Sequence, residues 1–475
     1  MIDVQTSDLR SIVEAIRNRA ISSEEVATTF LRNSKQCADL NAFTSLNEHL
    51  VEEARMADTR QRGTQQLGAL HGVPLALKDN IGTCALPTTA GTSLLRRNTP
   101  VRDARVARRL FDAGALLLGK NTLHELAFGV TCNSPAFGAV SNPYDRRRIP
   151  GGSSGGTAVA VAARLAPAGI GTDTGGSVRV PAALCGIAGF RPSVGRWSQE
   201  GIVPISATRD TAGPLAHTVG DLLLLDEVVT GDSNPASACD LREMRIGLPR
   251  GHFWEGLDAE TERLCVAAVN VARVAGAQIV EADIPQVAEL NNAISFVIAL
   301  HEGRVGLGEY LAGVGAEIDF DDLAEKIDCN DVRNLVNEMR GSSAEERRRK
   351  YVEVMKTERP AFVRRMDAYF DENALDAMIF PTTPLPACLI GEDDSLQLNN
   401  VSLPVFATYI RNTDPGSVAG LPGVTIPAGL TNSGLPVGIA LDGPRGSDRR
   451  LLALAQSLEA ALGRISAPKL DHLRA

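Results

Sequence analysis

"IPGGSSGGTAVAVAA" (149–163) runs four glycines and two adjacent serines straight into a stretch of small apolar residues. A Gly/Ser linker is flexible and stays polar on both sides. This one continues without a break into a helix-like segment suited to the core, so it reads as a permissive loop opening onto a buried helix. A second cluster, "GTDTGGSVRVPAALCG" (171–186), follows after that helix and a short strand. Two such loops so joined predict one site built from both.

Gly175 and Gly176 let the backbone approach a ligand closely and turn N–H groups inward. Placed just ahead of a serine, such groups suit an oxyanion hole, which makes Ser177 the candidate nucleophile. A serine hydroxyl needs a base near neutral pH. The histidines downstream, among them His217, His252 and His301, stand in no distinctive context. The candidate base is therefore Lys78, closing an apolar run in "ALKDN" (76–80). A lysine titrates near ~10.4, so a base working at neutral pH needs a drop of about three pH units, about 4 kcal/mol. Burial and nearby N–H dipoles supply such a drop.

Other readings of the glycine loops fit less well. Gly152-Ser153-Ser154-Gly155-Gly156 spells the GxSxG of a nucleophile elbow, but the elbow needs a strand directly before it, and "NPYDRRRIP" (142–150) is a poor one. No GK[ST] ends the loop, as a phosphate-binding loop would require. In "GIGTDTGG" (169–176), Thr174 stands where the last glycine of a dinucleotide fingerprint belongs.

Around these loops the chain alternates strand-like and helix-like pieces. "SDLRSIVEAIRNRA" (7–20) places Leu9, Ile12, Val13 and Ile16 at helical spacing behind the candidate caps Thr6 and Ser7, and Ser22 or Ser23 with Glu25 caps a second helix. Strands are expected at 72–81, 116–122, 244–249, 277–284, 375–384, 421–430 and 435–443, with helices at 104–115 and 261–276 and a closing helix from Arg449. The fold class is α/β, with a large mixed central sheet covered by helices. The 475 residues are read as a single domain: N-terminal helices over 1–60, a core over 61–230, and a C-terminal half over 244–475 that completes the sheet. Residues 304–373 form a helical, cap-like segment, and 231–243 is the linker candidate.

Composition narrows the function. Aromatics are 4% and the net charge is −9, which disfavours nucleic acid. The runs Arg146–Arg148 and Arg347–Lys350 read as solvated surface. No apolar run reaches the roughly 18 residues of a membrane span, and the N-terminus carries no leader-like apolar stretch, so a cytoplasmic protein without membrane partners is expected. Eight cysteines are spread singly and seven histidines show no HxH or HxxxH, predicting reduced thiols, no metal and no cofactor.

"LHGVPLALKDNI" (70–81), "GGSSGG" (151–156) and "GTDTGGSVRVPAALCGIAGFRPSVGR" (171–196) resemble the amidase signature family, strongly over about residues 60–230 and more diffusely beyond. The resemblance implies an α/β/α fold with a Ser–cisSer–Lys triad. Matched residue by residue, Lys78 is the base, Ser153 the bridging cis-serine and Ser177 the nucleophile. Thr174, Gly175, Gly176 and Ser177 match the oxyanion hole, Asp173 and Arg179 brace the loop, and Ser154 is a supporting hydroxyl. Thr157 and Ser193 depart from the family pattern. "FRPSVGRWSQEGIVPISATRDTAGPLA" (190–216), "RNTDPGSVAGLPGVTIPAGL" (411–430) and "KNTLHELAFGVTCN" (120–133) look most like its indoleacetamide and mandelamide hydrolases, and Ala127, Phe128 and Gly129 match a substrate-contacting loop. The implied reaction releases ammonia and an acid from a small arylacetamide, by one chain or a homodimer. A different small amide, or service as the amidase subunit of a glutamine-dependent tRNA amidotransferase, stays open, because Arg411 and Asp414 could clamp a charged substrate as well as order a loop.

Overall fold

The apolar runs become strands of one mixed sheet in the computed structural model, which describes residues 3–63, 66–233, 239–313, 318–341 and 343–470. Its strands are β1 (Phe43–Leu46), β2 (Pro74–Lys78), β3 (Leu116–Asn121), β6 (Ala168–Asp173), β7 (Ala188–Arg191), β8 (Thr211–Ala216), β9 (Arg245–Leu248), β10 (Gln278–Glu281), β11 (Ala377–Pro381), β14 (Gly423–Leu430) and β15 (Pro436–Asp442). Two hairpins stand apart, β4 (Asn133–Ser134) with β5 (Gly138–Ala139), and β12 (Ser395–Leu398) with β13 (Val401–Pro404). The 11 strands lie in the order β1-β3-β2-β6-β8-β7-β14-β15-β11-β9-β10. β2 runs parallel to β3 and β6, and β9 parallel to β10 and β11; the other neighbours are antiparallel.

The parallel trio β2, β3 and β6 is buried along its whole length, which is why β2 and β3 read as continuous apolar runs instead of alternating ones. On them packs the helix Gly155–Ala162, all eight residues buried. A Cβ at position 156 would lie 2.3 Å from the Thr122 carbonyl oxygen, so Gly156 is what seats the first turn of the helix against the end of β3. The helix starts immediately after Ser154, and β2 and β6 end on Lys78 and Asp173. The sheet thus delivers Lys78, the Ser153–Ser154 pair and Asp173 to one end of three adjacent elements.

Several expectations need correction. Residues 43–46 are an edge strand paired antiparallel with β3, within a region read as helical. The first helix, Leu9–Arg17, is capped by Asp8, which accepts the Ser11 amide, and not by Thr6 or Ser7. Ser22 and Glu25 do form a capping box. β7 and β8 went unread; β8 holds Gly213 and Pro214 in mid-sheet, where proline normally argues against a strand. β7 pairs only with Leu215 and Ala216 of β8, which is what admits Pro214. The helical layer begins at Val287, not at 304, because one helix spans Val287–Gly313. With the helix Asn330–Gly341 it packs Leu300, Leu307, Val332 and Met339 on Leu126 and Phe128 as a second apolar cluster. Arg148 is half-buried and bonded to the Ala387 carbonyl, unlike the exposed Arg147. Residues 234–238 of the linker candidate lie outside the described residues. Among the described residues no helix is long and apolar enough to cross a membrane.

Candidate active site

Lys78 is completely buried at the end of β2. Its Nζ donates to Ser153 Oγ at 2.8 Å, to Thr172 Oγ1 at 2.7 Å and to the Thr172 carbonyl at 3.4 Å. Burial pushes its pKa down from 10.5 to about 7, although the carboxylates of Asp173 and Asp210 pull the other way. An ammonium has three donors and here finds three acceptors. A neutral amine keeps two N–H groups for Thr172 and offers its lone pair to the Ser153 hydroxyl proton. Both protonation states are therefore satisfied in one geometry, as a proton carrier requires.

The loops around Lys78 are stitched together through backbone groups. The Gly152–Ser153 peptide is cis. The Ser153 carbonyl accepts the His124 amide at 3.2 Å and the Cys132 thiol at 3.5 Å. The Ser154 amide donates to the Ser177 carbonyl at 3.2 Å, and Ser154 Oγ donates to the Thr172 carbonyl at 3.2 Å. Asn80 Nδ2 adds a 3.1 Å bond to Thr172 Oγ1.

Ser177 keeps 9% of its surface accessible, and its hydroxyl makes no hydrogen bond to another described residue. The structure thus joins Lys78 directly to Ser153, and joins Ser177 to this pair through the Ser154 amide. The amides of Gly175, Gly176 and Ser177 likewise have no acceptor among the described residues. Behind the loop, Asp173 accepts Arg179 Nε and Nη2, each at 3.1 Å, Arg191 Nη1 at 2.9 Å and the Val178 amide at 3.1 Å. Burial alone would raise its pKa; the two guanidinium groups reverse that and hold Asp173 well below the usual carboxylate range. Asp442, 3.5 Å from Arg179 but less well paired, is pushed up to about 6 by the same burial. Thr174 Oγ1 donates to Asp210 at 2.6 Å.

Ala127 and Phe128 are buried in the apolar cluster under the helical layer, and Gly129 lies against the His124 ring. Thr157 faces Gly169 and Ser193 bonds Asp448, and neither is bonded to Lys78. Thr172, Asn80 and His124 are not marked by the sequence alone, although Thr172 adjoins Asp173 and Asn80 stands two residues after Lys78. His124, Cys329 and Asp331 bring potential metal ligands within 4.8 Å of one another. Nδ1 of His124 accepts the Cys132 amide at 3.1 Å, so the proton of the neutral ring sits on Nε2, which faces Asp331 Oδ2 at 3.1 Å. A protonated ring nitrogen is no ligand; the trio ties the helical layer to the segment that supports Ser153.

The family model described as "Amidase" matches residues 25–452, a span that includes Lys78 and both serine loops. The chain is 42% identical to an indoleacetamide hydrolase of Agrobacterium vitis over 98% of its length and 99% of that protein's. It is 39% identical to a mandelamide hydrolase of Pseudomonas putida, covering 95% of this chain and 91% of that one. Among solved structures, the native peptide amidase of Stenotrophomonas maltophilia superposes with a TM-score of 0.86 at 29% identity, covering 98% of this chain and 99% of that one. Sequence and fold agree along the whole length: the chain belongs to the amidase signature family and is a hydrolase of amide C–N bonds.

Proposed function

We propose that this chain is a cytoplasmic serine amidohydrolase that cleaves the primary amide of a small arylacetamide, with indoleacetamide as the model substrate. The observation that carries the mechanism is Lys78, buried, pushed down to about 7 and bonded to Ser153. Neutral Lys78 takes a proton from Ser153, which takes one from Ser177. Ser177 Oγ adds to the amide carbon, and the oxyanion sits against the amides of Gly175, Gly176 and Ser177. The proton returns through Ser153 to the amide nitrogen, the C–N bond breaks and ammonia leaves. Water, activated by the same relay, releases the acid from the acyl-enzyme.

Two findings support an uncharged acyl group. Whole-length relatives are hydrolases of indoleacetamide and mandelamide. The charges that could clamp glutamine are already engaged: Asp414 pairs with Arg209 and accepts Asn291 Nδ2 at 2.7 Å, and Arg411 donates to the Glu255 carbonyl at 2.8 Å. Eight free thiols fit a reducing compartment. The test is ammonia release by the purified chain from indoleacetamide, mandelamide, malonamide and glutamine, with Ser177→Ala as control. Arylacetamides should show the highest kcat/KM. Preference for glutamine, or activity only with an added subunit, would replace this reading with the amidotransferase one.

A further inference from the structure

The loop that carries Ser177 has its carbonyls fixed one after another. The Thr174 carbonyl accepts Arg209 Nη2 at 3.1 Å, and the Gly175 carbonyl accepts Thr413 Oγ1 at 2.6 Å. The Gly176 carbonyl accepts the Val180 amide at 2.7 Å, and that of Ser177 accepts the Ser154 amide. In a trans peptide, C=O and N–H point in opposite directions. Holding the carbonyls of Thr174 and Gly175 from behind therefore aims the amides of Gly175 and Gly176 forward, and neither has another acceptor among the described residues.

Two of the four anchors are backbone bonds. The other two are side chains from distant segments, both buried. Arg209 cannot swing away: Nη1 donates to Ser295 Oγ at 2.8 Å, and Nη2 also pairs with Asp414. Thr413 sits so close that a Cβ at position 176 would lie 2.2 Å from its Oγ1, and position 176 is a glycine at φ +143°. Thr413 Oγ1 also lies 3.2 Å from the Ile410 carbonyl, but its one proton belongs to the shorter bond.

We propose that Thr413 and Arg209 are the positioning residues of the oxyanion-binding amides. They hold the Thr174–Gly175 and Gly175–Gly176 peptides in the orientation the tetrahedral intermediate needs, before substrate arrives. The assignment rests on Ser177 being the nucleophile, as proposed above. Amides held in this way need no reorganisation when negative charge develops, so their benefit falls on the transition state and not on ground-state binding.

The experiment compares wild type with Thr413→Val, Thr413→Ala and Thr413→Ser. kcat and KM are measured on the preferred amide of the panel, together with the Kd of benzylboronic acid. In the boronate adduct Ser177 Oγ bonds to boron, its proton passes through Ser153 to Lys78, and boron becomes a tetrahedral anion. The variants without the hydroxyl should lose kcat by about 10- to 100-fold, and boronate affinity by a similar factor, with KM within about threefold. Thr413→Ser should restore both. Wild-type kcat and boronate affinity in Thr413→Val and Thr413→Ala, or a Thr413→Ser variant as impaired as they are, overturns the assignment. If neither hydroxyl-free variant folds, Arg209→Lys, which keeps the charge facing Asp414 but not the planar fork, is read in the same way. A wild-type enzyme that binds no boronate sinks the Ser177 mechanism itself, so the two failures are told apart.

Discussion

Replacing Lys78 by methionine should make the protein more stable at neutral pH while destroying its activity. The amine is driven from 10.5 to about 7 by burial, which at about 1.4 kcal/mol per pH unit corresponds to about 5 kcal/mol. The unfolded chain binds a proton at this lysine up to pH 10.5, whereas the folded chain has released it above about 7. Between those values the unfolded state holds more protons, so the wild type gains stability as pH rises, by about 1.4 kcal/mol per pH unit. Below about 7 both states are protonated and the penalty is constant. At pH 7 it stands near ~4 kcal/mol. Methionine removes it, fills similar volume, and forfeits the two short bonds, to Ser153 Oγ and to Thr172 Oγ1, each contributing about 1 kcal/mol.

The variant should thus be about 2 kcal/mol more stable than wild type at pH 7, and the two should converge near pH ~9. Urea unfolding of both proteins at pH 6, 7, 8, 9 and 10 measures this gap. Its change with pH is the sharper readout, because lost packing and lost hydrogen bonds shift both ends alike. A gap that stays level from pH 7 to pH 10 would show that Lys78 is not a depressed lysine, and the reasoning about the base would fall with it.

Three further outcomes are expected. The rate profile, kcat/KM against pH, should fall on the acid side of about 7 as Lys78 takes up its proton, and Lys78→Ala should cut the rate by orders of magnitude and remove that limb; an unchanged limb would remove lysine from the mechanism. Asp173→Asn leaves Arg179 and Arg191 buried without their shared carboxylate and should lower stability by about 3–5 kcal/mol in urea unfolding, so a loss under 1 kcal/mol would contradict the role of the pair as its anchor. Treatment with a chelator should leave amide hydrolysis intact, because His124 is held as the tautomer that cannot ligate a metal; activity lost and then restored by one divalent ion would refute this.

Lys78, Ser153 and Ser177 stand out as candidates in the sequence because each sits where composition itself is unusual. An apolar strand that ends in a lysine, and a glycine-serine loop that runs into an apolar helix, are hard to explain by packing alone. Strands such as β2, β3 and β11 were legible because burial on both faces leaves a continuous apolar run. β8 was not, since its Gly213 and Pro214 obey the pairing of neighbours and not any propensity of their own. β1 was hidden for a related reason. Its four half-buried residues hold the sheet's edge through pairing with β3, and no local alternation marks them.

The groups that hold the site in shape lie beyond local reading for a different reason. Arg209 meets Asp414 across 205 positions, and Thr413 meets Gly175 across 238. Each reads locally as an ordinary loop residue, in "SATRDTAG" (206–213) and "RNTDPG" (411–416). What gives each a partner is the sheet order, which sets β6, β8, β7 and β14 side by side and so brings the loops flanking β8 and β14 to the end of β6. A charge such as Asp414 can be picked out in the sequence, but its pairing with Arg209 and Asn291 is visible only in the fold. Chemistry concentrated in a short loop can be read one residue at a time. The orientation of the peptides in that loop is a property of the whole sheet, and becomes visible only once the strands are in order.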